Sequence, residues 1–311
     1  MQIYFQRWQT LPGNVRGSLI ILIASLASVT MSSLIKHVGQ TIPVVEILLI
    51  RQIIVLIIIS PVIFRNLGTV FRSSAYGLHF LRASLSGIAM YTGFTAVVKM
   101  ALAEVTAITF ARTLFTTILA IIFLKEIIGM RRWTSIIIGF VGVLMIVRPD
   151  PDSINIYALM AIISALCVSG IHIVMRKVSQ IDKPSMIMAF QSTFIALVMA
   201  VPAYYQWVVL NWNQMIYLLI IGILMSLMQW LFIQALKAGE AAAIAPMEYV
   251  RLLYAGIIGI IFFAEIPTVW TLSGAVVIVA STLYTMHRNA VKSPQKIVSQ
   301  DTDEPPNTNP T

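Results

Sequence analysis

Apolar stretches of about twenty residues recur along this chain roughly every 25 to 30 positions, each closed by a short polar or charged interval. An α-helix rises about 1.5 Å per residue, so each stretch can cross a hydrocarbon core about 30 Å thick. The spacing predicts ten helices, near residues 17–35, 43–63, 77–98, 103–123, 132–148, 156–176, 185–205, 214–236, 241–263 and 268–287. The alternating pattern of a transmembrane β-barrel is absent. Arg7 and Arg16 precede the first apolar run, which continues without a small-residue cleavage site and so reads as a retained helix rather than a leader. From about residue 289 the chain turns polar and proline-rich, a composition too poor in apolar surface to order itself, and a disordered cytoplasmic tail is expected over 289–311.

Composition strengthens this reading. Hydrophobic residues make up 59% of the chain and charged ones 11%, against about 25% charged in soluble domains. The predicted fold class is therefore an all-α integral membrane protein of ten transmembrane helices. The single cysteine, Cys167, excludes an intramolecular disulfide.

The formal charge of +9 could suggest a nucleic-acid partner, but its location argues otherwise. Of the 21 lysines and arginines, Arg51, Arg112 and Arg251 fall deep within predicted helices. With the N-terminus inside, only Lys36, Lys99 and Arg148 reach the outer face, and all the others gather on the inner one. Positive charge retained at the cytoplasmic side accounts for the basic balance without nucleic acid. It predicts a multi-pass protein of a bacterial inner membrane with both termini cytoplasmic.

The chain repeats itself. FARTLFTTILAIIFLKE (110–126) aligns with YVRLLYAGIIGIIFFAE (249–265), so Arg112 and Arg251 each precede a glutamate, Glu126 and Glu265, at the same spacing. A tryptophan follows in each case, Trp133 or Trp270, and then a Gly-containing last span. The expected units are 17–150 and 151–288, five helices each. An odd number of spans inverts the second unit relative to the first, as in many secondary transporters.

PVVEILLIRQ in the second helix, ALAEVTAITFARTLFTTILAIIFLKEIIGMRRW across the fourth and fifth, and AAAIAPMEYVRLLYAGIIGIIFFAEIPTVWTLSGA across the last two resemble the EamA-type permeases of the drug/metabolite transporter superfamily. The resemblance spans residues 17–287 and implies a mid-membrane substrate cavity between the two repeats, worked by alternating access. The EYVRLL stretch is similar to the S-adenosylmethionine uptake branch, with riboflavin and amino-acid permeases as competing branches. Many members of the superfamily carry proline where this chain has Thr113 and Leu252; Pro246, lower in the ninth helix, can retain a kink there.

Charges within a membrane are costly and usually face the bundle interior or a wet pathway. Arg112 and Arg251 lie about ten residues from either end of their helices, at equivalent depths, too deep to reach the interface. They are candidate contacts for a carboxylate or other anion; the alternative is a structural ion pair. Glu248 and Arg251, three residues apart, are expected to pair locally. Glu46 and Arg51, five apart, point different ways and need partners elsewhere, in the cavity or in a structural network. Tyr91, Phe110 and Tyr249 flank the charged centre and are candidates for stacking on a ligand, with plain packing as the alternative. Such a site suits a small zwitterionic or nitrogenous metabolite, and it leaves proton or counter-substrate coupling, a homodimer and the direction of transport open.

The remaining polar residues read mainly as structural. Glu104 and Glu240 suit helix starts, and Glu126 and Glu265 suit end caps or gates. His172 is expected as a packed core residue, with a proton carrier as the alternative. Gln191, Gln229 and Gln234 are expected as interhelical glue. A membrane-embedded enzyme is the rival class, but the chain has neither H-E-x-x-H nor G-x-x-x-x-G-K-[ST], and its aspartates all lie outside the predicted helices. No catalytic residue, metal or cofactor is expected.

Overall fold

In a computed structural model of the protein, the described residues are 12–65, 73, 75–124, 130–148, 155–178, 180–182, 184–238 and 245–292. They are almost wholly helical: α1 (Gly13–Val38), α2 (Val44–Arg65), α3 (Tyr76–Lys99), α4 (Leu102–Phe110), α5 (Arg112–Leu124), α6 (Met130–Val147), α7 (Ile156–Val178), α8 (Pro184–Tyr205), α9 (Trp212–Ala238), a 3-10 segment (Ala245–Tyr249), α10 (Val250–Phe263) and α11 (Val269–Lys292). Over the described residues helix occupies the expected positions, but the expected fourth helix is interrupted and the described part of the ninth opens with a 3-10 segment. Glu126, Glu240 and residues 293–311 lie outside the described residues.

Among the described residues six segments are long and apolar enough to cross a bilayer: Gly13–Val38, Val44–Pro61, Leu102–Phe123, Ile156–Met175, Met186–Tyr205 and Trp212–Phe232. The exterior is apolar, with Ile57, Leu197, Ile261 and Val276 among many exposed side chains. Trp133, Trp207, Trp212 and Trp270 are also exposed near helix ends, where interfacial tryptophans sit. Charged Glu46, Lys36 and Arg51 are buried instead. A lipid-facing surface has no water to solvate charge, so polar groups turn inward and find partners there.

The strongest pairings all join one half of the chain to the other: α3 with α7, α1 with α9, α6 with α11 and α2 with α8. Exchanging the halves maps this set onto itself, which is the expected result for two like units packed about a pseudo-two-fold axis. The helix ends define two ends of the bundle. At one, Gly13 abuts the Ala238 carbonyl, and Asp182, between α7 and α8, joins Ser73 and His79 at the start of α3. At the other, Gly39 meets Val98, Gln214 donates to Thr41, and Arg148 donates to Thr268.

At the first end one oxygen of Asp182, Oδ2, accepts from Ser73 Oγ (2.5 Å) and contacts His79 Nε2 (2.7 Å), and the His79 ring stacks on Phe190. Burial alone would raise this carboxyl, but the two hydrogen bonds and the His79 charge outweigh it and hold Asp182 below the usual aspartate range. A depressed carboxylate pKa stabilises the fold above the unfolded value of about 4, and that contribution is lost as pH falls through the folded value. Asp182→Asn is expected to lower stability by about 1–3 kcal/mol and to flatten the decline of melting temperature in acid. A thermal series in detergent across acidic pH checks both, and an unchanged acid limb contradicts the assignment.

Candidate functional site

Two departures from α-helical geometry organise the centre of the bundle. Between α4 and α5 the ladder tightens, with Ala111 N–H bonded to Ile108 O and Leu114 N–H to Ala111 O, both at 2.9 Å and both spanning three residues rather than four. In the second repeat Ala245–Tyr249 is a 3-10 turn leading into α10. Pro246 lies within it and supplies no backbone N–H to an α-helical ladder. Arg112 opens α5 and Arg251 is the second residue of α10, although Thr113 and Leu252 stand where proline is common in the superfamily. Short 3-10 stretches inside helices often mark functional hinges.

The aligned residues Phe110 and Tyr249 touch, with ring centroids 4.7 Å apart. Contact between matched residues places the local two-fold between them. Phe110 is buried in the main apolar cluster and Tyr249 packs against that cluster, so these two aromatics join the repeats by packing and do not line the cavity described below.

Just beyond this contact Arg112 Nη2 donates to Glu248 Oε2 at 3.0 Å. Glu248 is thus paired across the repeats rather than with Arg251. Three-residue spacing allows the local pair without requiring it, and the packing of the two repeats presents Arg112 instead. The Arg112 carbonyl accepts from Ser169 Oγ and Thr116 Oγ1, each at 2.7 Å, which satisfies backbone at the break. Arg251 Nε is buried and meets no acceptor among the described residues.

These groups line a cavity of about 520 Å³ together with Ser25, Ser28, His172 and Phe232. Its walls come from α1, α5, α7, α9 and α10, so both repeats contribute. His172 is exposed to it rather than packed in a core, contrary to the structural expectation. One histidine in an apolar run carries no signal of its helix's rotation, and only the packing of α7 reveals it.

The other candidates lie elsewhere. Arg51 is buried in α2, where Nε donates to Met225 Sδ at 2.7 Å and the guanidinium stands 5.2 Å from the Phe94 ring centroid. Glu46 is fully buried in the first turn of α2, with Oε2 accepting Val208 N–H at 3.2 Å. Neither residue lines the cavity, and they do not pair with each other, as their spacing predicts. Tyr91 is exposed on α3, also outside the lining. Glu104, in the first turn of α4, accepts from Thr271 Oγ1 at 3.2 Å, in keeping with a structural role.

Residues 15–148 and 155–286 each match the EamA-like transporter family. The chain belongs to that family. Among its relatives are an S-adenosylmethionine uptake transporter of Rickettsia bellii, 30% identical over 90% of this chain and 95% of the other, and a riboflavin transporter of Vibrio cholerae, 26% identical over 90% and 95%. A pseudopaline exporter of Pseudomonas aeruginosa is 24% identical over 85% and 94%. A solved crystal structure shares the fold at a TM-score of 0.60 and 14% identity, over 90% of this chain and 99% of that one. The protein is accordingly a membrane transporter of small molecules, and the two repeats seen in the sequence are two EamA units.

Proposed function

We propose that this protein is a secondary transporter of ten spans, arranged as two inverted five-helix repeats, that carries a small zwitterionic or nitrogenous metabolite across a bacterial inner membrane by alternating access. The observation that carries the reading is Arg251, whose buried Nε meets no acceptor among the described residues, beside the Arg112–Glu248 pair in a cavity lined by both repeats. Glu248 balances one guanidinium, so the three groups together leave one positive charge. A substrate carboxylate can meet that charge through two parallel hydrogen bonds. The starts of α5 and α10 lie at the same place, and helix N-termini add favourable potential for an anion. A volume of about 520 Å³ falls in the ordinary range for small-molecule sites, about 300–1,000 Å³.

The S-adenosylmethionine transporters among the relatives make that amino acid derivative the first substrate to try. Cells expressing the protein are expected to take up labelled S-adenosylmethionine saturably, and Arg251→Ala at matched membrane abundance is expected to lose at least about tenfold of that flux, about 1.4 kcal/mol of binding. Uptake unaffected by Arg251→Ala contradicts the arginine site. No uptake from well-inserted protein redirects the substrate search, first to riboflavin and then to export, the direction given in the name of the pseudopaline relative.

A further inference from the structure

The central cavity lies toward one end of the bundle, and the other end is closed by a cluster that no substrate contact explains. The lining of α1 runs from Ile21 to Ser28; eight residues beyond, roughly 12 Å along the helix, Lys36 is buried in the last turn. Its ammonium pairs with Glu265 Oε1 and donates to the Met100 carbonyl, and it stands 5.3 Å from the Phe263 ring centroid. The second Glu265 oxygen accepts Leu102 N–H at 2.8 Å, an amide in the first turn of α4 that has no partner within its own helix. Beside it Gln40 Nε2 donates to the Lys36 and Val98 carbonyls. Three segments are thereby tied by side chains: the end of α1, the α3–α4 junction and the end of α10.

Each tied segment continues into a wall of the cavity. α1 carries Ser25 and Ser28, α4 leads into Arg112, and α10 begins beside Arg251. Loosening the cluster would therefore move the walls that hold the charged site. Glu265 is held in place by an unusual turn. Ala264 adopts a left-handed conformation, φ 52°, which lets Glu265 N–H reach back to Gly259 O at 3.0 Å. A residue with a Cβ is disfavoured there relative to glycine, so this closure carries local strain, a feature that concentrates at switches.

The duplication supplies a counterpart. LIKHVGQ (34–40) aligns with VMRKVSQ (174–180), which sets Lys36 against Arg176, and Glu265 already aligns with Glu126. The side chains of Arg176 and Glu126 lie outside the described ones. The sequence therefore carries a basic and an acidic residue at matched positions in both repeats.

We propose that Lys36, Glu265 and the start of α4 form the gate that seals the cavity from the outer face and must part in each transport cycle. The inference rests on the alternating-access reading above. The test uses full-length protein with Cys167→Ser and Ser28→Cys, so that one thiol reports cavity access to a membrane-impermeant maleimide applied to right-side-out or inside-out vesicles. With the gate intact, labelling is expected chiefly from the inner face. Glu265→Gln is expected to raise the outer-face rate about tenfold, the change in open population that about 1.4 kcal/mol produces. Lys36→Gln, which retains a donor for the Met100 carbonyl, repeats the test where Glu265→Gln inserts poorly. Outer-face labelling unchanged in both overturns the gate and leaves a static staple. Labelling from neither face sinks the accessible cavity itself, and the alternating-access reading with it.

Discussion

Glu248→Ala is expected to lose most of its transport and part of its stability, and to do worse on stability than the double variant Arg112→Gln/Glu248→Gln. Glu248 is the carboxylate among the charged lining residues, facing Arg112 at 3.0 Å with Arg251 in the same cavity. Removing it leaves two guanidinium groups in the cavity with no carboxylate among its lining residues to balance them. Both partners are about a quarter exposed to the cavity, so the full cost of breaking a buried pair, about 3–5 kcal/mol, is reduced by screening. A loss of about 1–3 kcal/mol in stability is expected. The double variant removes one cation with the anion and returns the cavity to the single positive charge of the native site. Its stability loss should therefore be smaller than the sum of its parts, a coupling of about 0.5–3 kcal/mol in a double-mutant cycle. Thermal unfolding in detergent measures the coupling, and uptake in matched cells measures transport. Strict additivity contradicts an ion pair across the repeats.

The second large effect is expected at the crossing of α6 and α11. A Cβ at Gly142 would lie 2.8 Å from the Gly274 carbonyl oxygen and 3.1 Å from Ile278 N, and one at Gly274 would lie 2.6 Å from the Gly142 oxygen. These neighbours are backbone, so the helices must separate to admit a methyl group. Gly274→Ala is expected to cost about 1–3 kcal/mol, and Gly274→Leu to prevent assembly. Once the helices have parted, the second methyl costs less, so Gly142→Ala/Gly274→Ala should fall short of additive. Gly256→Ala in α10, with nothing within 4 Å of the added carbon, is the control and should be neutral or stabilising by up to about 1 kcal/mol through helix propensity. Size-exclusion profiles and melting temperatures separate the two. Equal effects at Gly274 and Gly256 contradict the close crossing.

How much of this was legible beforehand differs from element to element. The helix positions follow from apolar runs, and the structure adds the break at Ala111 and the 3-10 turn over Ala245–Tyr249. A tightened turn changes no residue's hydropathy, so the runs could not show it; Pro246 was the one local sign, and the first repeat has no equivalent. Arg112, Arg251 and Glu248 could be singled out because a charge in an apolar span stands out whatever surrounds it. Arg51 and Glu46 stood out equally, yet Arg51 is met by Met225 and Phe94 and Glu46 by the Val208 amide. His172 and Lys36 point the other way. One was read as core and lines the cavity; the other was counted only as a charge on the outer side and is buried in an ion pair.

By itself, the sequence determined the solvent, the element type, the duplication and the family. Each of these depends on sums over a span or on register between two segments, and both survive without knowledge of neighbours. Tertiary structure decided which charges meet. A side chain's partner depends on the rotation and depth of its helix, which are set by packing against helices more than a hundred residues away, as Arg112 with Glu248 and Lys36 with Glu265 show.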